Sequence, residues 1–524
     1  MKITTQAFSL KNIITKNPVI KGTFILIIAG FITRIIGFYN RIFLSGLIGA
    51  TQMGIFQLVL PLYMVSFSIT TYGNQMAVTK LVSEYKSRKE YPTAFTILKI
   101  CLLYSLISGL LVAIIMGQNA NWLCAKVLKA PECVDCLKFL CIGIPFMGIK
   151  GSIHGYFLGL ENSSIHGISD FLEQAFKIIG VYLLVSYICV QTTYNAIFAI
   201  YGVVIAEITA CAYSVTALLF HYKKNHTLYR STSPSIYVNK AIRLFAKNTI
   251  PLTTNRLFLT VLQSIESIMI PGVLLLYYGN STESLSHFGV FTGMAFPFIM
   301  FPATITNALS TMLLPAVSSA NSTLDRNHLS KLCGNSIHFC LLIAIFSFVS
   351  FYIFGEEIGM LFFQNKEAGM YLYQLSFLCP FIYLATTLAS ILNGMGHITY
   401  NLILTVIATV IRISFIQFSM PSLGMTGYII GLFVSYLFLT YACIHKTQQQ
   451  INLQLHFIKS ILFPGCTFTL SGILFYQLYQ HCTQALQLSS RLQLILLIGV
   501  IASFASVCVL PGTLAIYKAH RQPR

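Results

Sequence analysis

Apolar residues dominate this chain in long runs, each broken by a short polar or basic stretch. Runs of 20 or more residues cover roughly 22–48, 55–79, 94–116, 137–159, 165–188, 194–220, 249–277, 285–314, 333–354, 370–394, 399–420, 425–444, 457–479 and 491–517. At about 1.5 Å of rise per residue each run is long enough to cross the ~30 Å of a bilayer's hydrocarbon. The pattern predicts an all-α polytopic membrane protein with 14 transmembrane helices.

Composition removes the soluble alternatives. Of 524 residues, 56% are hydrophobic and 9% charged, against about 25% charged in a soluble globular chain. Too few polar groups remain to cover a water-facing surface. The formal net charge of +19 would suggest nucleic acid in a soluble protein. Here the bases fall between apolar runs, where they orient helices in a bilayer, so no nucleic-acid partner is expected. With the N-terminus inside, twenty-one bases occupy inside segments and five (Lys126, Lys129, Lys138, Lys366 and Arg491) occupy outside ones. That asymmetry predicts a multi-pass protein of the cell membrane with both termini cytoplasmic. The apolar run after Lys21 is too long for a signal-peptide core, so no cleavable signal is expected.

The chain also repeats itself. A shift of 235 carries Ile144-Pro145-Phe146 onto Cys379-Pro380-Phe381, Gly159 onto Gly394 and Lys177 onto Arg412. It also carries Gly54-Ile55-Phe56 onto Gly289-Val290-Phe291. The expected organisation is a six-helix lobe over 1–220, a basic cytoplasmic linker over 221–248, a second six-helix lobe over 249–446, and two further helices with a basic tail over 447–524. Six helices per lobe is an even number, so the lobes form a parallel pseudo-repeat with a cavity between them.

Seven bases lie in or near helices: Arg34, Arg41, Lys99, Lys150, Lys177, Arg256 and Arg412. A charge at the helix centre costs about 2.5–3.5 kcal/mol on insertion scales, so such residues face a bundle interior or water. Gly30, Arg34, Gly37 and Arg41 share one face of helix 1, with small glycines that permit close approach. Two guanidiniums about 10.5 Å apart suit the oxygens of a phosphate; the bland alternative is snorkelling and structural pairing. Arg256 and Arg412 extend this set, and Arg412 has no acid in its own helix. Among the acids, Glu173 precedes Lys177 by one turn and is expected to pair with it. Glu207 and Glu266 are candidates for charge balance or for a coupling proton or cation. The His residues are dispersed and predict no cluster; Cys133-Val134-Asp135-Cys136 is a lone CxxC, and the 14 Cys read as small buried hydrophobes. No metal or cofactor is expected, and no nucleotide-binding loop, HExxH or nucleophile elbow occurs.

The motif Thr33-Arg34-Ile35-Ile36-Gly37-Phe38-Tyr39-Asn40-Arg41-Ile42, after Lys21-Gly22-Thr23-Phe24-Ile25-Leu26, closely resembles the stage V sporulation protein B family. So do Lys80-Leu81-Val82-Ser83-Glu84, Phe171-Leu172-Glu173-Gln174, Leu309-Ser310-Thr311 with Leu314-Pro315-Ala316, and Pro421-Ser422-Leu423-Gly424. That family lies in the polysaccharide-transporter branch of the multidrug/oligosaccharidyl-lipid/polysaccharide exporters, related to lipid II flippases. The resemblance spans about 18–450 and implies 14 helices in two lobes. It implies a role in sporulation, flipping a lipid-linked peptidoglycan precursor for the spore cortex, with cavity-facing helix 1 arginines matched by Arg34. Gln75 after Gly73, where relatives often carry Pro, and the acid-free segment 49–54 depart from the pattern. The expected partners are an anionic lipid-linked sugar and the bilayer. The rivals are a multidrug or other polysaccharide-lipid exporter of the same fold and a non-transporting scaffold for cortex synthesis. Cationic drugs would need acids, yet the seven bases outnumber the four acids Asp170, Glu173, Glu207 and Glu266 in the helices; a scaffold has no use for mid-membrane bases. An enzyme is not expected.

Overall fold

The computed structural model describes residues 18–187, 195–226, 238–322, 326–451, 458–486 and 492–505. Within residues 18–29 only the backbone is described. Among the described residues the chain is helical and no strand occurs. Two compact units are formed, Met1–Gly272 and Val273–Arg524.

In the first unit, α1 (Pro18–Phe67) runs through a π-turn at Ser68–Tyr72 into α2 (Gly73–Ser87). The expected loop at 49–54 is absent. The break between the first two spans is the single residue Gly49, at φ 75° and ψ 176°. A left-handed φ is free of steric cost only for glycine, so one residue turns the chain. Then follow α3 (Tyr91–Gln118), α4 (Val134–Gly159), α5 (Ser164–Tyr187), α6 (Ala196–Lys224) and α7 (Val238–Tyr278), whose last residues belong to the second unit. Helix α4 is the hub, packed on α2, α3 and α6. Its small faces make this possible. A Cβ on Gly155 would lie 2.5 Å from the Gln75 carbonyl oxygen, and one on Gly159 2.8 Å from the Val82 Cβ. The apolar core around this hub includes Val78, Leu81, Leu98, Ile153, Tyr156 and Phe157.

The second unit contains α8 (Ser281–Gly289), α9 (Ala303–Ser322), α10 (Arg326–Phe363), α11 (Lys366–Ser376), α12 (Cys379–Gly394), α13 (Ile398–Phe418), α14 (Met425–Gln450), α15 (Phe463–Leu486) and the shorter Leu492–Ala505. Here α12 is the hub, packed on α9, α10 and α14. The surroundings of α4 recur at the shift of 235. A Cβ on Gly394 would meet the Leu314 carbonyl oxygen and Val317 at 2.9 Å, as one on Gly159 would meet the Thr79 oxygen and Val82. Ser390 Oγ donates to the Ser310 carbonyl at 2.5 Å, where Gly155 abuts the Gln75 carbonyl.

Among the described residues eight helices are long and apolar enough to span a membrane, ten if two bent pairs each form one span. The bends measure 55° at Ser281–Met300 with Ala303–Ser322 and 56° at Lys366–Ser376 with Cys379–Gly394. The count therefore stands below the expected 14. Gly30–Ser87 counts once although Gly49 breaks it, α4 and α5 are absent from that set, and the last apolar run is described only in part. Lys2, Lys11 and Lys16 of the N-terminal tail, the bases of 518–524 and the linker's tip at 227–237 lie outside the described residues, and of Lys21 only the backbone is described.

Candidate functional site: a charged core in the first unit

The strongest concentration of charge lies inside the first unit, where α4, α5 and α6 converge. Lys150 on α4 donates to Glu173 Oε2 on α5 at 2.7 Å and to Glu207 Oε2 on α6 at 2.6 Å. Tyr63, on α1 beyond the Gly49 break, donates to the other Glu207 oxygen at 2.7 Å. Lys150 and Glu207 are buried. Ions in such a setting persist only when paired and hydrogen-bonded, and this lysine is shared by two carboxylates. Glu173 forms the expected pair with Lys177, one turn along, at 3.7 Å, and adds a shorter, unforeseen one to Lys150 on a neighbouring helix at 2.7 Å. Pairing within one helix is worth only about 0.3–0.5 kcal/mol, so a better-placed base across the packing interface wins. Sequence reasoning placed Lys150 among the bases within helices but gave it no partner, and it did not single out Tyr63. The available signal was that Lys150 lies within helix 4 with no acid one turn away.

The arginines behave differently. Arg34 is exposed and Arg41 half-buried, and neither has an ion-pair partner among the described residues. Of the glycines on their face, only Gly37 packs closely, with a Cβ position 3.2 Å from Gln174 Oε1; Gly30 meets nothing within 4 Å. Arg256 lies 5.1 Å from the Tyr72 ring centroid, and its Nε is buried without a hydrogen-bond partner among the described residues. Arg412 donates to Thr409 Oγ1 at 3.0 Å and lies over the Tyr436 ring. Glu266 is buried.

One expectation is overturned. The His residues were expected to form no cluster, yet the rings of His154 and His166 lie 4.5 Å apart beside Asp170. They come from consecutive helices joined by a tight turn, a proximity that linear spacing does not display. Cys133 is buried as a free thiol, and burial pushes it above its ordinary range, so it is a poor redox or metal-binding group. Cys136 is likewise buried and free.

Residues 19–280 match the family model described as "Polysaccharide biosynthesis protein". The chain belongs to that family. It is similar to stage V sporulation protein B of Bacillus subtilis (strain 168), with 24% identity over 79% of this chain and 80% of that protein. Among solved structures, it is similar to the lipid II flippase MurJ in an inward closed conformation, with a TM-score of 0.65, 14% identity, and 92% of this chain and 98% of that one covered. An inward-facing multidrug resistance MATE transporter of the MOP superfamily gives a TM-score of 0.64 at 15% identity, covering 79% and 92%. The fold of this multi-pass family member is thus the one shared by lipid II flippase and MATE structures.

Proposed function

We propose that this protein is a flippase-type membrane transporter that moves an anionic lipid-linked sugar, a precursor of spore-cortex peptidoglycan. The observation that carries this reading is the division of labour among the ions within the helices. Glu173 and Glu207 are engaged by Lys150, so they are not the counter-ions of Arg34, Arg41 or Arg256. These guanidiniums have the donor geometry for phosphate oxygens, and Arg412 serves as the base of the second unit. A pyrophosphate headgroup cannot enter hydrocarbon unaided, whereas a site bearing guanidiniums replaces its hydration. A cationic drug would require uncommitted acids, which the Lys150 network does not supply. The similarity to stage V sporulation protein B supports the cortex precursor as cargo.

In this reading the protein sits in the cell membrane with both termini cytoplasmic. Lobes 1–220 and 249–446 are joined by the basic linker 221–248, and 447–524 follows. Glu266 is the candidate for a coupling proton or cation, while Glu173, Lys177 and Glu207 supply charge balance.

The test is reconstitution into liposomes with a labelled undecaprenyl-pyrophosphate sugar, scored by loss of protection from an external probe. Arg34→Ala is expected to abolish movement while the protein still inserts, and Arg34→Lys to retain part of it, since ammonium keeps charge but loses the bidentate fork. Full movement in Arg34→Ala and Arg256→Ala alike would overturn the reading, as would movement of a neutral lipid-linked sugar at the same rate.

A further inference from the structure

Separate from the arginines and the Lys150 network, one group of side chains has ligand chemistry with no assigned work. His166 and Asp170 stand four residues apart on α5 and so share a face. His154 reaches them from α4, one turn beyond Lys150. One ligand atom from each of the three lies within 4.8 Å of the others. His154 is fully buried, at 2% exposure. Its Nε2 lies 3.2 Å from Ser214 Oγ on α6, which in turn lies 3.2 Å from Ser169 Oγ and donates to the Ala210 carbonyl at 2.8 Å. The ring is thus oriented from behind, as metal-binding imidazoles usually are. His166 Nδ1 is buried with no hydrogen-bond partner among the described residues and lies 3.4 Å from Asp170 Oδ1. A buried acceptor or donor facing a carboxylate without bonding it is a position that an ion between them would satisfy.

The repeat supplies an independent argument. At a shift of 235 the three residues become Ala389, Asn401 and Thr405. The second unit builds the corresponding helix pair without imidazole or carboxylate, so helix packing alone does not require them.

We propose that His154, His166 and Asp170 form a binding site for a divalent transition-metal ion of the zinc class, clamping α4 to α5 in the first unit. Two imidazoles favour zinc, cobalt or nickel over the oxygen-seeking magnesium and calcium. Three protein ligands leave a position for water. The site does not depend on the transport reading, and neither the ion nor its ligands enter the headgroup chemistry.

The experiment uses the full chain in detergent, purified without a polyhistidine tag, and titrates it with cobalt(II) and then zinc. The expected result is one tightly held cobalt per chain with visible d–d absorption, displaced by zinc, and a zinc-dependent rise in melting temperature. His166→Gln and Asp170→Asn should each weaken binding at least tenfold and remove the rise; Asp170, 40% exposed by its side chain, can be changed without disturbing packing. His154→Gln reports on the buried ligand, with gel filtration confirming a folded chain. Absence of stoichiometric binding in the wild type would overturn the proposal. So would Asp170→Asn and His166→Gln variants that bind cobalt as the wild type does, which would leave the cluster a polar packing feature only.

Discussion

The hubs of the two units solve one packing problem with opposite chemistry. Around α4, Lys150 holds Glu173 and Glu207, and Tyr63 completes the second carboxylate. At a shift of 235, Lys150 becomes Ala385, Glu173 becomes Ala408 and Tyr63 becomes Phe298. Helix α14, the counterpart of α6, carries no acid at all. The close contacts of the hubs are nonetheless the same, Gly159 on Val82 and Gly394 on Val317. The shared glycines are therefore the requirements of the fold, and the ions are an addition. Buried ion pairs seldom stabilise more than apolar residues of the same volume would. An addition retained in one unit alone points to a job other than holding helices together.

The sharpest way to break the comparison is to remove the shared base. Lys150→Met leaves the buried Glu207 with the Tyr63 hydroxyl alone and the half-buried Glu173 with Lys177 at 3.7 Å, and breaking a buried pair costs about 3–5 kcal/mol. Thermal unfolding in detergent should fall accordingly, with little folded protein recovered. Replacing all three ions by apolar residues of similar volume, Lys150→Met with Glu173→Leu and Glu207→Leu, makes the first unit resemble the second and should recover most of that loss. A recovered but inactive protein assigns the network to function; a recovered and active one reduces it to structure. If the triple variant is as unstable as Lys150→Met, the two hubs are not equivalent.

Much of this was legible in the sequence. The apolar runs, the two copies of Pro-Phe, one inside α4 and one at the start of α12, and Gly159 matched to Gly394 are local patterns that helical packing preserves. Of the two partners of Glu173 only Lys177 was legible. The i,i+4 rule offers Lys177, and only three-dimensional packing brings Lys150 closer. The His154–His166 pair was hidden for the same reason, because residues twelve apart are neighbours only once α4 and α5 fold back on each other. The break at Gly49 was misread as a six-residue loop, since a single left-handed glycine leaves almost no compositional trace.

Exchange of the aromatic pair tests the hydroxyl alone. Tyr63→Phe copies Phe298 and removes a hydrogen bond to a buried carboxylate, worth about 1.5–3 kcal/mol. Phe298→Tyr is the mirror experiment and places a hydroxyl among Phe351, Phe362 and Phe363, where an unpaired group costs about 1–3 kcal/mol. Both should lower the unfolding temperature. A neutral Tyr63→Phe would mean Glu207 is satisfied by Lys150 alone.

The shared contacts make a paired prediction. Gly159→Ala and Gly394→Ala each push a methyl against a valine and a carbonyl oxygen at 2.8–2.9 Å, and overpacking of this kind costs about 1–3 kcal/mol. The two losses should agree within the error of the unfolding measurement. A loss at one site only would show that one hub yields where the other does not.

The smallest effect lies where the hub helices end. Glu161 adopts φ 61° just past α4, and its counterpart Gly396 adopts φ 90° just past α12. Left-handed backbone costs a side-chain-bearing residue about 1–2 kcal/mol relative to glycine, so Glu161→Gly relieves strain. Against this, glycine adds about 0.4–1 kcal/mol of unfolded-state freedom. The change also deletes the 3.0 Å pair with Lys86, whose partners are 28% and 49% exposed by side chain, and such surface pairs are worth about 0.2–1 kcal/mol. Lys86 keeps its bond to the Leu160 carbonyl at 2.9 Å. The opposing contributions nearly cancel, and the unfolding free energy should move by less than about 1 kcal/mol. A loss well beyond that would mean that the Lys86–Glu161 pair fastens α2 to the end of α4 more firmly than its exposure implies. The second unit, with Asn321 and Gly396 at those positions, would then lack a restraint that the first unit needs.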